Sequence, residues 1–183
     1  MIGSARALAL LGTGGVLIFI GVVCVLSGAQ PGYDPIQQFM SELALGPWGG
    51  FMIVAFVGLA VLVAASAAHL RASGTPKLLT HTLALAAICL VGAGAITLGD
   101  SVSVHVALVA LAFALCGLAM YLLPRLARTH GRPMDHLISW GAGLVMCAAT
   151  ALGGLLIPVG IAQRLSAGAL MFWLLWVVWR RHG

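Results

Sequence analysis

The chain has 183 residues, of which 62% are hydrophobic and only 7% are charged. Soluble domains carry about 25% charged residues, so this composition excludes an ordinary soluble domain and predicts an integral membrane protein. The net charge of +5 then indicates contact with anionic lipid head groups, and it gives little support to a nucleic-acid partner.

Six apolar stretches are long enough to cross a membrane, since a helix needs about 20 residues to span about 30 Å of hydrocarbon. In chain order they cover approximately residues 7–28, 49–70, 78–98, 102–124, 136–157 and 161–179. Little sequence is left for another domain. We therefore predict an all-α bundle of six transmembrane helices that forms a single domain over residues 1–183.

The connector after the first span is predicted to contain a short amphipathic helix over residues 35–45. Apolar residues recur there at positions i, i+3, i+4 and i+7, namely Ile36, Phe39, Met40 and Leu43. Asp34 is a suitable N-cap with Gln37 as its capping-box partner, and Gly46 ends the helix. We expect this helix to lie on the outer surface of the bundle.

Basic residues predict the orientation of the chain in the membrane. Eight of the nine lie at the termini or in the two connectors on the same side: Arg6, Arg71, Lys77, Arg125, Arg128, Arg132, Arg180 and Arg181. The positive-inside rule places that side, with both termini, in the cytoplasm, and it predicts a multi-pass protein of the cell (inner or plasma) membrane.

The outer side is predicted to hold a polar cluster. An arginine inside a membrane helix costs about 2.5 to 3.5 kcal/mol, so Arg164 should face the bundle interior, a partner carboxylate or a water-filled cavity. Glu42 and Asp100 can reach it, and His105 lies at similar depth in the fourth span. The predicted cluster comprises these four residues, surrounded by Tyr33, Ser41 and Gln163.

Three stretches resemble the domain of unknown function 998 family of small polytopic prokaryotic membrane proteins. They are "YDPIQQFMSELALGPWG", the pair "GD" before "VHVALVALAF", and "GIAQRL" at the start of the last span. The matching positions are Tyr33, Pro35, Ser41, Glu42, Leu43, Asp100, His105, Gln163 and Arg164. Family members usually have a longer loop after the Asp, often with a second His, which this chain lacks. The resemblance implies the fold and the location of the site, and it implies no reaction.

The first functional hypothesis is an enzyme that acts on a lipid or another small amphiphile from the outer side. His105 would act as acid or base, Glu42 or Asp100 would orient it, and Arg164 would hold an anionic group such as a phosphate. Ser41 is a candidate nucleophile. We predict no metal, and the alternative is a three-ligand site formed by Glu42, Asp100 and His105.

Two non-enzymatic hypotheses compete with this one. In the first, the cluster binds a ligand or relays protons in a transporter or binding protein. In the second, the cluster only holds helix ends together, and the protein is an accessory subunit of a membrane complex. The expected partners are therefore membrane lipids, a small amphiphilic ligand, a second copy of the chain or a membrane-complex partner.

No cofactor is predicted. A two-haem arrangement is excluded on the predicted topology because His105 is the only outer histidine, and a single inner haem between His81 and His136 is the alternative to an interfacial position for both. We expect Trp173, Trp176 and Trp179 to contact lipid and form an interfacial belt. The four cysteines, which are Cys24, Cys89, Cys116 and Cys147, are predicted to be small core residues.

Overall fold

The computed structural model describes residues 2–126 and 133–180. These contain six α-helices: α1 Ile2–Ala29, α2 Phe51–Ala72, α3 Lys77–Ala95, α4 Val102–Leu126, α5 Pro133–Leu152 and α6 Val159–Trp179. All six are long and apolar enough to cross a membrane. The predicted all-α bundle of six transmembrane helices is thus confirmed, while its description as one domain stays a prediction.

Two predicted spans extend too far. The third and fifth were expected to end near residues 98 and 157, but α3 ends at Ala95 and α5 at Leu152. After α5 the chain turns through Gly154, whose φ of 78° lies in the left-handed region that favours glycine. The apolar residues that follow, Leu155 and Leu156, belong to this turn and are exposed.

The helices pack against one another in chain order, and α6 also contacts α1 and α2, which closes the bundle. Two glycines bring α1 and α2 unusually close. A Cβ atom on Gly15 would collide with the carbonyl group of Gly58, and a Cβ on Gly58 would lie 2.7 Å from the carbonyl oxygen of Gly15. Small residues thus allow the two backbones to touch, as is common between membrane helices.

The interior is apolar and includes residues from all six helices. Trp173 lies fully buried in it, and its indole N–H donates a hydrogen bond of 3.0 Å to the Ser139 hydroxyl on α5. The prediction that Trp173 contacts lipid is therefore wrong, because α6 turns this residue toward a polar partner on α5. Trp176 is half-buried and Trp179 is exposed.

The cysteine prediction is half right. Cys89 and Cys116 are buried in the core, whereas Cys24 and Cys147 are exposed on the outside of the bundle. A thiol is small and apolar enough to face either neighbouring helices or hydrocarbon, so its position in an apolar span does not decide between them.

The bundle has two ends, which we name by their contents. The connector end holds the loops 30–50, 96–101 and 153–158, and the terminal end holds Arg6, Arg71, Lys77, Arg125 and Arg180. At the terminal end Arg180 forms an ion pair of 3.4 Å with Asp135. Three residues used in the topology argument lie outside the described residues: Arg128, Arg132 and Arg181.

The two histidines of the haem alternative lie on different helices. His81 is exposed on α3, and His136 on α5 packs edge-on against Trp140 with ring centroids 4.8 Å apart. The single inner haem stays an untested alternative.

Candidate functional site

The connector between α1 and α2 folds differently from the predicted helix over residues 35–45. A turn follows Asp34, the chain extends at Phe39, and a short 3₁₀-helix, η1, runs over Met40–Leu45. The carboxylate of Glu42 accepts a 2.9 Å hydrogen bond from the backbone N–H of Phe39, which caps this second segment. One amphipathic helix is thus replaced by a turn and η1.

Asp34 caps its turn as predicted, with its carboxylate accepting from the N–H groups of Ile36 (2.8 Å) and Gln37 (3.3 Å). The capping-box role assigned to Gln37 is wrong. The side chain that reaches back to the N–H of Asp34 is that of Gln38, over 2.7 Å. The return contact spans four residues because the segment is a turn closed from Gln38 to Asp34 rather than the first turn of a helix.

Three residues in the first turns of α6 hold the connector, and we call Gly160, Gln163 and Arg164 the α6 clamp. The N–H of Gly160 donates to the carbonyl of Ile36 over 3.0 Å, and the Gln163 side-chain oxygen accepts from the N–H of Met40. Only a glycine fits at position 160. A Cβ there would lie closer than 3.0 Å to carbonyl oxygens of the connector, including that of Ile36.

Arg164 is half-buried and has only neutral hydrogen-bond partners. One terminal nitrogen donates to the carbonyls of Pro35 (2.6 Å) and Gly160 (3.1 Å), and the other donates to the hydroxyl of Tyr33 (2.9 Å). The Tyr33 hydroxyl in turn donates to the carbonyl of Phe39 over 3.2 Å. Backbone dipoles and a phenol therefore surround this guanidinium.

The predicted ion pair between Arg164 and a carboxylate does not form. Across the described ranges, the one Lys or Arg ion pair within 4.0 Å is that of Arg180 with Asp135. Glu42 is instead engaged by the Phe39 N–H and by the side-chain amide of Gln38 over 3.2 Å. From the connector, the carbonyl group of Pro35 and the hydroxyl of Tyr33 bond the guanidinium instead.

Asp100 lies apart from the α6 clamp, in the exposed turn between α3 and α4. Its carboxylate accepts hydrogen bonds of 2.8 Å from both the hydroxyl and the backbone N–H of Thr97. These bonds lower the pKa of Asp100 below its usual value of 3.8, because they favour the ionised form, and the bond from the hydroxyl has the larger effect. Asp100 thus stabilises its own turn.

His105 is buried at the start of α4, with 2% of its surface exposed. Its Nδ1 lies 2.9 Å from two carbonyl oxygens, those of Ala93 and Ile96 at the end of α3. Because both partners only accept, Nδ1 carries a proton. The ring also packs edge-on against Phe56, with centroids 5.5 Å apart.

Ser41 is buried in η1, with 7% of its surface exposed. Its hydroxyl forms no hydrogen bond to His105 or to any other residue that the structure describes. Together with Gln163 it lines an internal cavity of about 30 Å³ beneath η1.

The structure thus brings Tyr33 and Gln163 together with Arg164, and Glu42 joins them through Gln38. Asp100 and His105 belong to the α3–α4 connection. Within residues 2–126 and 133–180 no three His, Cys, Asp or Glu side chains converge as metal ligands would, so the alternative three-ligand site is not assembled.

Sequence reasoning missed two residues of this site, Gly160 and Gln38. The signal for Gly160 was available, since a glycine directly inside a helix start after Pro158 indicates a close backbone approach. No sequence pattern singled out Gln38, because the adjacent Gln37 stands at the usual capping-box position.

Comparison with known proteins gives one match. The model of a family described as "Protein of unknown function (DUF998)" matches residues 13–180, nearly the whole chain. No curated protein and no solved structure matches.

Proposed function

Since the chain belongs to the DUF998 family, whose description supplies no reaction, we propose a function from its own residues: it binds the anionic head group of a membrane lipid, or of a similar amphiphile, at Arg164. Lipid head groups carry phosphate, and arginine pairs with phosphate through two parallel hydrogen bonds.

The observation that carries this proposal is the set of partners around Arg164. The guanidinium has acceptors at Pro35, Gly160 and Tyr33, and all of them are neutral. No carboxylate of the described residues lies within 4.0 Å of its positive charge. A charge in this state near the edge of a bilayer attracts an anion from the head-group layer.

We place this site on the outer face of the cell (inner or plasma) membrane, with both termini in the cytoplasm. Of the six basic residues that the structure describes, five lie at the terminal end and Arg164 lies at the connector end. The positive-inside rule favours that orientation.

A binding role is better supported than a catalytic one. Acid–base or nucleophilic catalysis needs its groups within hydrogen-bond reach of one another. Ser41 and His105 share no hydrogen bond, Glu42 is occupied by the connector, and Asp100 is occupied by Thr97. The assignment of His105, Glu42 and Asp100 as catalytic residues stays a prediction that these contacts do not favour.

A structural role is the second candidate, and the α6 clamp favours it. Three residues of one helix, Gly160, Gln163 and Arg164, bind the same connector. In this role the clamp only fixes the shape of the connector end, as an accessory subunit would require.

The two candidates are separated by lipid binding. The full chain is reconstituted in nanodiscs that contain phosphatidylglycerol in excess phosphatidylcholine, and retained lipid is counted by native mass spectrometry. Arg164→Gln is expected to reduce retained phosphatidylglycerol several-fold. Gln163→Leu, which removes a clamp contact without removing charge, is expected to retain it.

Arg125→Gln is the matched control at the terminal end. Arg125 also bonds the carbonyl four residues before it, that of Tyr121 (2.9 Å), and stacks on the Tyr121 ring. Equal loss in the Arg125 and Arg164 variants, or no loss in either, would overturn the proposal. Competition by inorganic phosphate distinguishes a site for any phosphate from a site for lipid head groups.

A further inference from the structure

The charged residues that bound α6 are unusually close together for a transmembrane helix. Across α3, 23 positions separate Lys77 from Asp100, and across α4, 25 positions separate Asp100 from Arg125. Both intervals exceed the roughly 20 residues that a helix needs to cross the hydrocarbon. Across α6, only 16 positions separate Arg164 from Arg180.

The two arginine side chains of α6 lean in the same direction, so they do not lengthen this interval. Nη1 of Arg164 bonds the carbonyl of Gly160, one turn nearer the connector end. The guanidinium of Arg180 lies 5.0 Å from the ring of Trp176, which is also one turn nearer the connector end. The two positive charges are therefore about 24 Å apart along the helix, about 6 Å less than the thickness of the hydrocarbon core.

The connector fixes the depth of Arg164 in the membrane. An arginine near a helix end usually extends its side chain toward the head groups. Here the carbonyl of Pro35 and the hydroxyl of Tyr33 bond the guanidinium and hold it against the bundle. A head group that binds Arg164 must therefore move toward it, and the bilayer must thin beside α6. Each ångström of thinning adds to the free energy of deformation, and lipids with short chains need less of it.

We propose that the site at Arg164 selects phosphate-bearing lipids with short acyl chains, since these bring a phosphate to the depth of Arg164 with the least deformation of the bilayer. This inference rests on the proposed function and adds the chain length of the lipid to it. Arg164 then determines specificity through its depth as well as through its charge. Arg125, which lies at the far end of a longer interval, has no such preference.

The test places two lipids in competition within one bilayer. The full chain is reconstituted in nanodiscs of dioleoyl phosphatidylcholine that contain equal amounts of dimyristoleoyl and dierucoyl phosphatidylglycerol, whose chains are shorter and longer than oleoyl chains. Native mass spectrometry distinguishes the two phosphatidylglycerols by mass. The phosphatidylglycerol that the wild type retains and Arg164→Gln loses is expected to be enriched several-fold in the short-chain lipid.

Gln163→Leu and Arg125→Gln are the controls, and neither is expected to change the ratio of the two retained lipids. Should Arg164→Gln fail to fold, Arg164→Lys is compared with the wild type. Both keep a cation at the same position in α6, so both are expected to retain more of the short-chain lipid, and equal retention of the two lipids by both overturns the inference.

The outcomes separate this inference from the proposed function. An Arg164-dependent fraction with equal amounts of the two lipids, or with more of the long-chain lipid, overturns the inference and leaves the proposed function standing. The absence of any Arg164-dependent fraction overturns both.

Discussion

The two ends of α6 each carry an arginine beside an aromatic ring, and their partners differ in charge. Arg180 lies 3.4 Å from the carboxylate of Asp135 and 5.0 Å from the ring of Trp176. Arg164 lies beside Tyr33 and bonds backbone carbonyls. Among the described residues, a carboxylate lies within 4.0 Å of Arg180 and none lies within 4.0 Å of Arg164. The proposed binding of an anionic head group at the connector end depends on this difference.

The largest effect is expected from breaking the contact between α6 and the connector. Gly160→Val inserts a branched side chain where three carbonyl oxygens lie within 3.0 Å of the new Cβ. The connector must move away, and we expect the free energy of unfolding to fall by about 3 kcal/mol, the upper end for overpacking. Thermal unfolding in detergent measures this change.

Gly168→Ala is the matched control on the same helix. A Cβ at position 168 meets no atom within 4 Å, so the greater helix propensity of alanine should leave stability unchanged or raise it by up to about 1 kcal/mol. Equal destabilisation by both variants would show that the connector does not depend on Gly160.

The next effect compares Arg164 with Arg125, another arginine of the terminal end. Arg164→Gln removes three charge-assisted hydrogen bonds to the connector and α6, and we expect a loss of about 2 kcal/mol in the free energy of unfolding. Arg125→Gln, at an exposed position, should cost less than about 1 kcal/mol. Thermal unfolding in detergent measures both losses. A larger loss in Arg125→Gln than in Arg164→Gln would contradict the stabilising role of the α6 clamp.

Asp135→Asn is expected to make the terminal end more positive. It removes the carboxylate that lies 3.4 Å from the Arg180 guanidinium, so one negative charge is lost at this end. Retained phosphatidylglycerol should rise by a smaller amount than Arg164→Gln lowers it. Unchanged retention, counted by native mass spectrometry, would indicate that the loss of a carboxylate beside an arginine is not enough to recruit lipid.

The smallest effect concerns the Asp100 turn. The pKa of Asp100 is lowered in the folded state by Thr97, so this contact stabilises the fold above the unfolded-state pKa and the benefit is lost as pH falls through the folded-state value. Thr97→Val removes the bond from the hydroxyl, which lowers the pKa of Asp100 more than the backbone bond does. The difference in unfolding temperature between wild type and variant should be present at pH 7 and shrink below about pH 4. A difference independent of pH would point to a cause other than this carboxylate.

The number and approximate position of the helices could be predicted because hydrocarbon forces each long apolar run to satisfy its own backbone as a helix. Which side of each helix faces inward could not. The helices are apolar on all sides, so periodicity does not separate lipid from core. The wrong position for Trp173 and the exposed Cys24 and Cys147 follow from this.

The site was predictable where the chemistry is local or the energetic cost is large. Asp34 was identified as a cap because its partners are two and three residues away. Arg164 was expected to face the bundle because its charge is costly in hydrocarbon, and its guanidinium bonds Pro35 and Tyr33 of the connector. Its partners were not predictable, since a backbone carbonyl at Pro35 is available in any sequence and gives no residue-type signal over a separation of 129 positions.

The distance in sequence across the α6 clamp sets an order for biogenesis. Tyr33 and Arg164 are 131 positions apart, so the first loop emerges from the ribosome long before the helix that receives it. A nascent chain arrested ahead of residue 159 has the helices α1 and α2 that η1 contacts, but it lacks the contacts from α6. The connector end is therefore complete only after the first turns of α6 have been synthesised.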